Sequence, residues 1–378
     1  DAINHAQEGN ENSLIMGDYD EEFTVVAIYD IDKNQQLFDS FGDNAVHRLF
    51  HEYGFFSQYP RLWVFEDQSG EEIRFRMYEL EEGYDFDFNP SNVTHQNNIN
   101  YVYDELSKHL LTVLAAEPLG FTQRSPTISS TRYAVALKFR QEYIKALEIA
   151  IQHLLLRVKG MSDLSKKYSN IEVQERVSQP STRSPCFHEY CDKQNALFEW
   201  VEANGGYVNP KLELTTGPDP SWKVRGVFAT ASISHGERIF QLPPNLLLCG
   251  ASYCDAVNSL SQELSKGPAS FWWPYLNILE DHDIDLPIAW TDEERDLLSG
   301  LHPSYMAKTG GNEICDTYCD VCNLDMSDAT NLHSFQLVKA RAAAGKDDVT
   351  CMIPLFDAIN HAQEGNENSL IMGDYDEE

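Results

Sequence analysis

"MIPLFDAINHA", residues 352–362, joins an apolar run to an Asp-x-x-Asn-His cluster, and the fold assignment starts from this stretch. The apolar run predicts a short buried strand that leads directly into the polar residues. The segment that begins at Asp357 also opens the chain, because residues 1–22 and 357–378 are identical. Repeat proteins instead show several imperfect copies that stack on their neighbours. Two perfect terminal copies indicate a circularly permuted order, an assembly overlap or an engineered duplication.

Other motifs follow in a regular order when the chain is taken from residue 185 to its end and then onward from residue 23. They are "WKVRGVF", "SFWWPYLNIL", "LPIAWTDEERDLL", "FQLVKARAA", "PLFDAINHA" and "VHRLFHEYGFF". In this order most of the chain resembles the SET-domain protein methyltransferases, of the type that includes the Rubisco large-subunit methyltransferase and the actin-histidine methyltransferase. The resemblance implies an α+β fold. A SET β-fold of short strands, with an inserted helical region, is joined to an all-helical C-terminal lobe that binds substrate.

This resemblance divides the chain into four parts. Residues 1–89 match the C-terminal part of the SET domain, and residues 90–160 match the helical substrate-binding lobe. Residues 161–184 are a linker rich in Ser and charge, and residues 185–378 match the N-terminal part with its insertion. Spacings of four and three within the lobe predict a long amphipathic helix, on the residues Tyr133, Leu137, Arg140, Ile144, Leu147, Ile151 and Leu154.

Strands are predicted where β-branched and aromatic residues cluster between charges. "EEFTVVAIYDI" and "RLWVFED" are two such runs. "RGVFATASISHGERIFQLP" predicts two further short strands around a Gly turn. These strands do not alternate regularly with helices, which is typical of an α+β protein rather than of a parallel α/β sheet.

The resemblance implies S-adenosyl-L-methionine as the cofactor. Asn360 and His361, or Asn4 and His5 in the first copy, match residues that hold the amino-acid part of that cofactor. Asp357 matches the carboxylate of the same motif. Holding the sulfonium in place is what brings its methyl group to the acceptor nitrogen. A capped turn is the structural alternative for an Asn-His pair taken by itself.

Three further residues match the cofactor site. Gly226 lies where the family has a Gly-x-Gly turn, at which the missing Cβ lets a ligand approach the backbone; the first Gly of that pair is Val224 here. Arg225 would contribute mainly backbone groups. Arg341 matches an arginine that ion-pairs with the cofactor carboxylate. The structural alternatives are a plain strand turn for Gly226 and a surface helix residue for Arg341.

Phe41 and Tyr53 match the catalytic positions. Phe41 stands where the family has its catalytic tyrosine, whose hydroxyl orients the attacking nitrogen and assists its deprotonation. That need is physical, since a lysine amine titrates near 10.4 and its neutral form costs roughly 4–5 kcal/mol at pH 7. A phenylalanine keeps the ring but supplies no oxygen. Tyr53 matches a second tyrosine of the lysine channel, and a packed core tyrosine is the alternative.

The composition limits the partners. A net charge of −32 argues against nucleic acid, whose phosphates need clustered Lys and Arg. It favours a protein substrate with a basic, Lys-containing segment, although solubility explains an acidic surface equally well. No apolar run approaches the roughly 20 residues of a membrane span, and the start resembles neither a signal nor a transit peptide. Eight cysteines predict thiols in a reducing compartment, the cytoplasm or nucleus, with a plastid left open.

Cys315, Cys319 and Cys322 form a C-x3-C-x2-C spacing that raises a competing possibility. Radical-SAM enzymes hold an iron–sulfur cluster with this spacing, and three thiolates with His333 would suit zinc. The surrounding polar stretch lacks the repeated βα pattern of a radical-SAM barrel. We favour free thiols over zinc, and zinc over a cluster, so no metal is expected.

Two functional hypotheses remain. The first is a protein N-methyltransferase that uses S-adenosyl-L-methionine and acts on lysine, with histidine as the second choice of acceptor. The second is a catalytically weakened, SET-like protein-binding module, because Phe41 replaces the expected tyrosine. Since two copies of one segment cannot occupy one place in a fold, we expect residues 357–378 to be docked and residues 1–22 to be displaced. The protein is then a monomer, or a dimer that exchanges the segment.

Overall fold

A computed structural model gives the fold. It describes residues 23–39, 45–54, 59–66, 72–80, 83–88, 98–116, 127–158, 188–216, 225–279, 284–301, 322, 324–325, 327–344, 349–361 and 369–372. The chain divides into two compact units. The first unit comprises residues 1–43, 177–284 and 321–378, and the second comprises residues 44–176 and 285–320.

The described elements mix helices with short strands, so the α+β class is confirmed. The strands are β1 (Phe23–Ala27), β2 (Phe38–Asp39), β3 (Arg61–Glu66), β4 (Glu72–Leu80), β5 (Gly83–Phe88), β6 (Tyr207–Val208), β7 (Leu212–Thr216), β8 (Arg225–Ala229), β9 (Arg238–Leu242), β10 (Leu248–Gly250), β11 (Ala343–Ala344), β12 (Thr350–Met352), β13 (Asn360–His361) and β14 (Ser369–Met372). The helices are α1 (Val46–Tyr53), α2 (Asn98–Ala115), α3 (Ser130–Val158), α4 (His188–Ala203), α5 (Tyr253–Lys266), α6 (Trp273–Leu279), α7 (Asp292–Asp296) and α8 (Ala329–Arg341).

The largest sheet of the first unit is built around β1, one of the predicted strands. Phe23, Val25 and Ala27 are buried and alternate with half-buried residues, as expected for a strand with one face on a core. The sheet order is β14-β1-β9-β6. β14 belongs to the second copy of the repeated segment, and it pairs with β1 in antiparallel register. The first copy, residues 1–22, lies outside the described residues.

The two strands predicted in "RGVFATASISHGERIFQLP" are present as β8 and β9, but they do not pair with each other. β8 forms a hairpin with β7, whereas β9 pairs with β1 and β6. Gly236 makes the predicted turn before β9 with a φ of 74°, a conformation in which a Cβ is unfavourable. The local turn was therefore predictable, while the partner of each strand depends on distant residues.

The second unit packs helices α2 and α3 on an antiparallel sheet of order β3-β4-β5. Both predicted helices of residues 90–160 are thus present. They share one core with the sheet, so the second unit contains strands as well as these two helices. The sheet contributes Trp63, Phe65, Phe75, Met77 and Phe86 to that core.

The buried face of α3 lies about one position earlier than the predicted one. Tyr133, Leu137, Ile144 and Ile151 are only half-buried. The small side chains of the alanines let neighbouring elements approach this face of the helix closely. The face consists of Ala136, Phe139, Arg140, Tyr143, Ala146, Leu147, Ala150 and Leu154.

Glu294 holds the start of α7 against α3 through a buried carboxylate. Its side chain is 3% exposed, and it accepts hydrogen bonds from the backbone N–H groups of Thr291 (3.0 Å) and Ser129 (2.9 Å) and from Arg132 Nη1 (2.6 Å). Burial alone would raise the pKa of Glu294. These three donors outweigh burial and lower the pKa to about 2.

Replacement of Glu294 by glutamine should lower the free energy of unfolding by about 2–3 kcal/mol, because charge-assisted hydrogen bonds are lost. The stabilisation from the carboxylate is fully present above its unfolded pKa and disappears as the pH falls toward about 2. Urea unfolding at pH 7 and pH 3 should therefore show a smaller difference between wild type and E294Q at pH 3. Asp296→Asn, an exposed change on the same helix, is the control. An equal effect of both changes would contradict this role of Glu294.

Candidate functional site

Arg341 and Asp357 are joined to each other in the first unit. Arg341 is the last residue of α8, which begins where the carboxylate of Asp328 accepts hydrogen bonds from Thr330 N and Asn331 N. Arg341 Nη1 donates to the backbone oxygen of Asp357 at 2.7 Å and lies 3.8 Å from Asp357 Oδ2. The side chain of Asp357 is 1% exposed and that of Arg341 is 19% exposed. The guanidinium thus fixes the turn that carries Asp357.

This turn is a single 3-10 turn, Phe356–Ala358, between β12 and β13. Ile359 N donates to Phe356 O at 2.9 Å, and Asp357 N donates to Ile353 O at 3.2 Å. Leu355, directly before the turn, has a φ of 68°. A side chain larger than glycine seldom adopts this conformation, and such residues concentrate at functional sites. The strand predicted in the apolar run before Asp357 is shorter than expected, since β12 ends at Met352.

Asn360 and His361 form β13, which runs parallel to β2. Asn360 pairs with Phe38, and His361 pairs with Asp39. The Asn-His pair of the second copy is therefore held in a two-stranded ladder of the first unit. In sequence, Phe41 follows β2 by two residues. Phe41 itself lies outside the described residues, as do Asn4 and His5.

Arg225 and Gly226 begin β8, where Gly226 pairs with Thr215 of β7. The position is a strand, not the turn that the sequence predicted. β8 lies beside the 3-10 turn that carries Asp357, and Val227 O accepts a hydrogen bond from Leu37 N, directly before β2. Six of the expected cofactor residues thus belong to one part of the first unit: Arg225, Gly226, Arg341, Asp357, Asn360 and His361.

Tyr53 belongs to the second unit and ends α1. Gly54 caps this helix with a φ of 77° and donates its N–H to Phe50 O at 3.0 Å. Burial raises the pKa of Tyr53 to about 12; the charge of Glu52 adds to this effect and that of Arg48 opposes it. The phenol is therefore protonated at neutral pH.

The expectation of free thiols was wrong for four cysteines. Cys249 is bonded to Cys351, and Cys254 is bonded to Cys322. The sulfur of Cys322 therefore acts neither as a free thiol nor as a zinc or cluster ligand, while Cys315 and Cys319 lie outside the described residues. The pairings were missed because the partners are 102 and 68 residues apart in the chain.

Replacement of Arg341 by alanine should lower the free energy of unfolding by about 2–4 kcal/mol, because the buried carboxylate and the backbone oxygen of Asp357 lose the guanidinium. Arg341→Lys should cost less, since it keeps the charge. Urea unfolding measures both. Lys33→Ala, which removes an exposed cation from the same unit, should stay within about 0.5 kcal/mol of wild type. If R341A were as stable as K33A, the contact with Asp357 would not hold this turn.

Models of protein families, curated proteins and solved structures were compared with this chain, and none of them matched. Within the described part of the chain, no three His, Cys, Asp or Glu side chains come together in a group that could hold a metal ion. In the same part, every helix is too short or too polar to cross a bilayer.

Proposed function

We propose that this protein transfers a methyl group from S-adenosyl-L-methionine to a nitrogen of a protein substrate, as the SET-domain enzymes that it resembles do. Lysine is the first choice of acceptor and histidine the second. The observation that carries the proposal is the parallel pairing of β13 with β2. It holds the Asn-His pair next to the strand that precedes Phe41, although the paired residues Phe38 and Asn360 are 322 positions apart in the given order (360 less 38).

The surroundings of this strand pair support a cofactor site. Methyl transfer is fast only when the sulfonium and the acceptor nitrogen are held in line at near-contact distance, which requires a rigid backbone around the cofactor. Arg341 holds the 3-10 turn from one side, and β8 lies along it. Asp357, Asn360 and His361 follow one another on the same short segment. Their backbone is thereby fixed before a cofactor binds.

The charge of the chain supports a basic substrate. A net charge of −32 attracts cationic segments and raises their association rate, most strongly at low salt. The protonated phenol of Tyr53 would accept no proton from a lysine ammonium, but it would donate a hydrogen bond to a nearby acceptor. Deprotonation of the substrate amine is then a task for solvent, which gives a slow enzyme whose rate rises with pH.

A second function, a SET-like module that binds protein without transferring methyl groups, is favoured by one observation. The Arg341 guanidinium, expected on the cofactor carboxylate, is already bonded to Asp357 O. Together with the phenylalanine at position 41, this arrangement fits a protein that keeps a SET-like site but no longer catalyses methyl transfer.

Calorimetric titration with S-adenosyl-L-methionine, followed by transfer of a labelled methyl group to lysate protein, tests the proposal. Binding with label in protein lysines or histidines supports methyl transfer. Binding without label supports the binding module. If S-adenosyl-L-methionine does not bind, it is not the cofactor under either function. A rearranged chain, in which residues 185–378 precede residues 23–160, should bind the cofactor equally well. If only the rearranged chain binds, the second copy in the given order does not form the site.

A further inference from the structure

The Cys249–Cys351 disulfide joins two neighbouring strands of a small sheet in the first unit. Cys249 is the middle residue of β10 and Cys351 the middle residue of β12, and they are direct partners in the antiparallel register. Cys351 is fully buried, whereas Cys249 is half-buried. The bridge therefore has one protected and one accessible end.

Cys249 lines a surface cavity of about 430 Å³, which is the size of a small-molecule site. Aliphatic side chains and the indole of Trp272 form part of the wall. Ser259, Gln262 and Glu263 supply hydrogen-bonding groups. A small organic thiol, with a short carbon body and polar ends, matches this mixture of apolar and polar lining.

The buried end of the bridge, Cys351, is connected to both residues of the Arg341–Asp357 contact. The strand partner of Cys351 in β11 is Ala343, two residues after Arg341. Six residues after Cys351 along the chain comes Asp357. A change in the position of Cys351 therefore reaches the guanidinium through β11 and the 3-10 turn through the end of β12.

We propose that Cys249–Cys351 is a thiol-sensitive switch, opened by a small thiol that enters the cavity. A thiolate attacks Cys249 Sγ, the Sγ–Sγ bond breaks, and Cys351 leaves as a thiolate that takes up a proton. A second thiol then attacks the outer sulfur of the mixed disulfide, releasing an external disulfide and the Cys249 thiol. Two thiols are oxidised and one protein disulfide is reduced. Because burial disfavours the charged Cys351 sulfur, exchange takes minutes to hours.

Reduction acts on the segment that carries Asp357. The ladder between β10 and β12 has only three residue pairs, so without the covalent bond local opening of β12 becomes more frequent. The effect on the cofactor rests on the function proposed above, whereas the exchange reaction and the local opening do not. Couplings between two sites of a protein span roughly 5- to 150-fold in affinity, and we expect about a tenfold weaker binding of S-adenosyl-L-methionine to the reduced protein.

The experiment equilibrates the whole chain with reduced and oxidised glutathione in a series of ratios. Alkylation and mass spectrometry measure the thiol content at Cys249 and Cys351, and hydrogen exchange measures the opening of residues 350–361. Calorimetry measures cofactor affinity at both ends of the series. Two double variants serve as controls: C254A/C322A keeps the proposed switch and removes the other disulfide of the described residues, and C249A/C351A lacks the switch.

Reversible reduction of Cys249 and Cys351, with faster exchange at residues 350–361 in wild type and in C254A/C322A, is the expected result. In C249A/C351A the exchange of this segment should not depend on glutathione. A bridge that resists millimolar glutathione, or reduction that leaves residues 350–361 unchanged, overturns the proposal. If the cofactor does not bind the oxidised protein, the function proposed above fails, while alkylation and hydrogen exchange still decide the switch.

Discussion

Replacement of Phe41 by tyrosine should raise the rate of methyl transfer to a lysine substrate by about a hundred- to a thousandfold, the range typical for one preorganised polar group at a reacting atom. The new hydroxyl would stand two residues after β2, the strand that pairs with Asn360–His361. On the function proposed above, this hydroxyl would accept a hydrogen bond from the substrate nitrogen and orient the nitrogen lone pair toward the methyl group. Single-turnover rates at saturating cofactor measure the effect.

Phe271→Tyr is the matched control for this change. It adds the same hydroxyl to an exposed phenylalanine of the first unit, outside β2 and β13, and should leave the rate unchanged. Equal rates for F41Y and wild type would show that Phe41 does not occupy the catalytic position. Equal gains for F41Y and F271Y would show that the position of the added hydroxyl does not matter. Because the pKa of Tyr53 is about 12, the wild-type rate between pH 7 and pH 10 should follow the substrate amine, near 10.4, rather than Tyr53.

The elements that the sequence predicts correctly are those whose signal is local. β1 and β3 come from runs of β-branched and aromatic residues, and α3 comes from a helical spacing of apolar residues between Tyr133 and Leu154. Each signal lies within one element and needs no partner. Local propensity and the spacing of apolar residues therefore favour the same conformations that the fold contains.

Pairing and register were harder to predict because they depend on distant residues. β8 and β9 flank a turn, yet each pairs with a strand from elsewhere in the chain. In α3 the alanines at positions 136, 146 and 150 are fully buried, whereas a pattern of large apolar residues places the buried face partly on their neighbours. Packing volume, and not hydrophobicity alone, decides which side chains are enclosed.

The candidate site shows the same division. The candidate residues could be found from the order of the short motifs. The contact between Arg341 and Asp357 could not, since the resemblance assigns both residues to the cofactor site rather than to each other. Likewise, "LCG" and "TCM" each place a cysteine in the middle of a short apolar strand. Only the antiparallel pairing of β10 with β12 makes these cysteines opposite. The cysteine count alone therefore led to the wrong redox state.

Removal of the two disulfides found among the described residues should lower the free energy of unfolding by about 8 kcal/mol, on the model in which a bridge acts by restricting the unfolded chain. The Cys254–Cys322 bridge closes a loop with a sequence separation of 68 and lies inside the 102 of Cys249–Cys351. With the inner bridge formed, the outer one closes only about 34 further residues, which is worth about 3.8 kcal/mol. The inner loop closed alone is worth about 4.4 kcal/mol.

Because one loop lies inside the other, the loss of stability on removing both bridges differs from the sum of the losses on removing each bridge alone. Removing only the outer pair (C249A/C351A) should cost about 3.8 kcal/mol, and removing only the inner pair (C254A/C322A) about 3.4 kcal/mol, because the outer bridge alone still closes a long loop. The quadruple variant should therefore lose about 1 kcal/mol more than the two double variants together. Urea unfolding without reductant measures all four proteins. Since domains are stable by about 5–15 kcal/mol, the quadruple variant is expected to be largely unfolded in this unit. Additive or smaller losses would show that the native state, rather than the unfolded chain, carries the effect of the bridges.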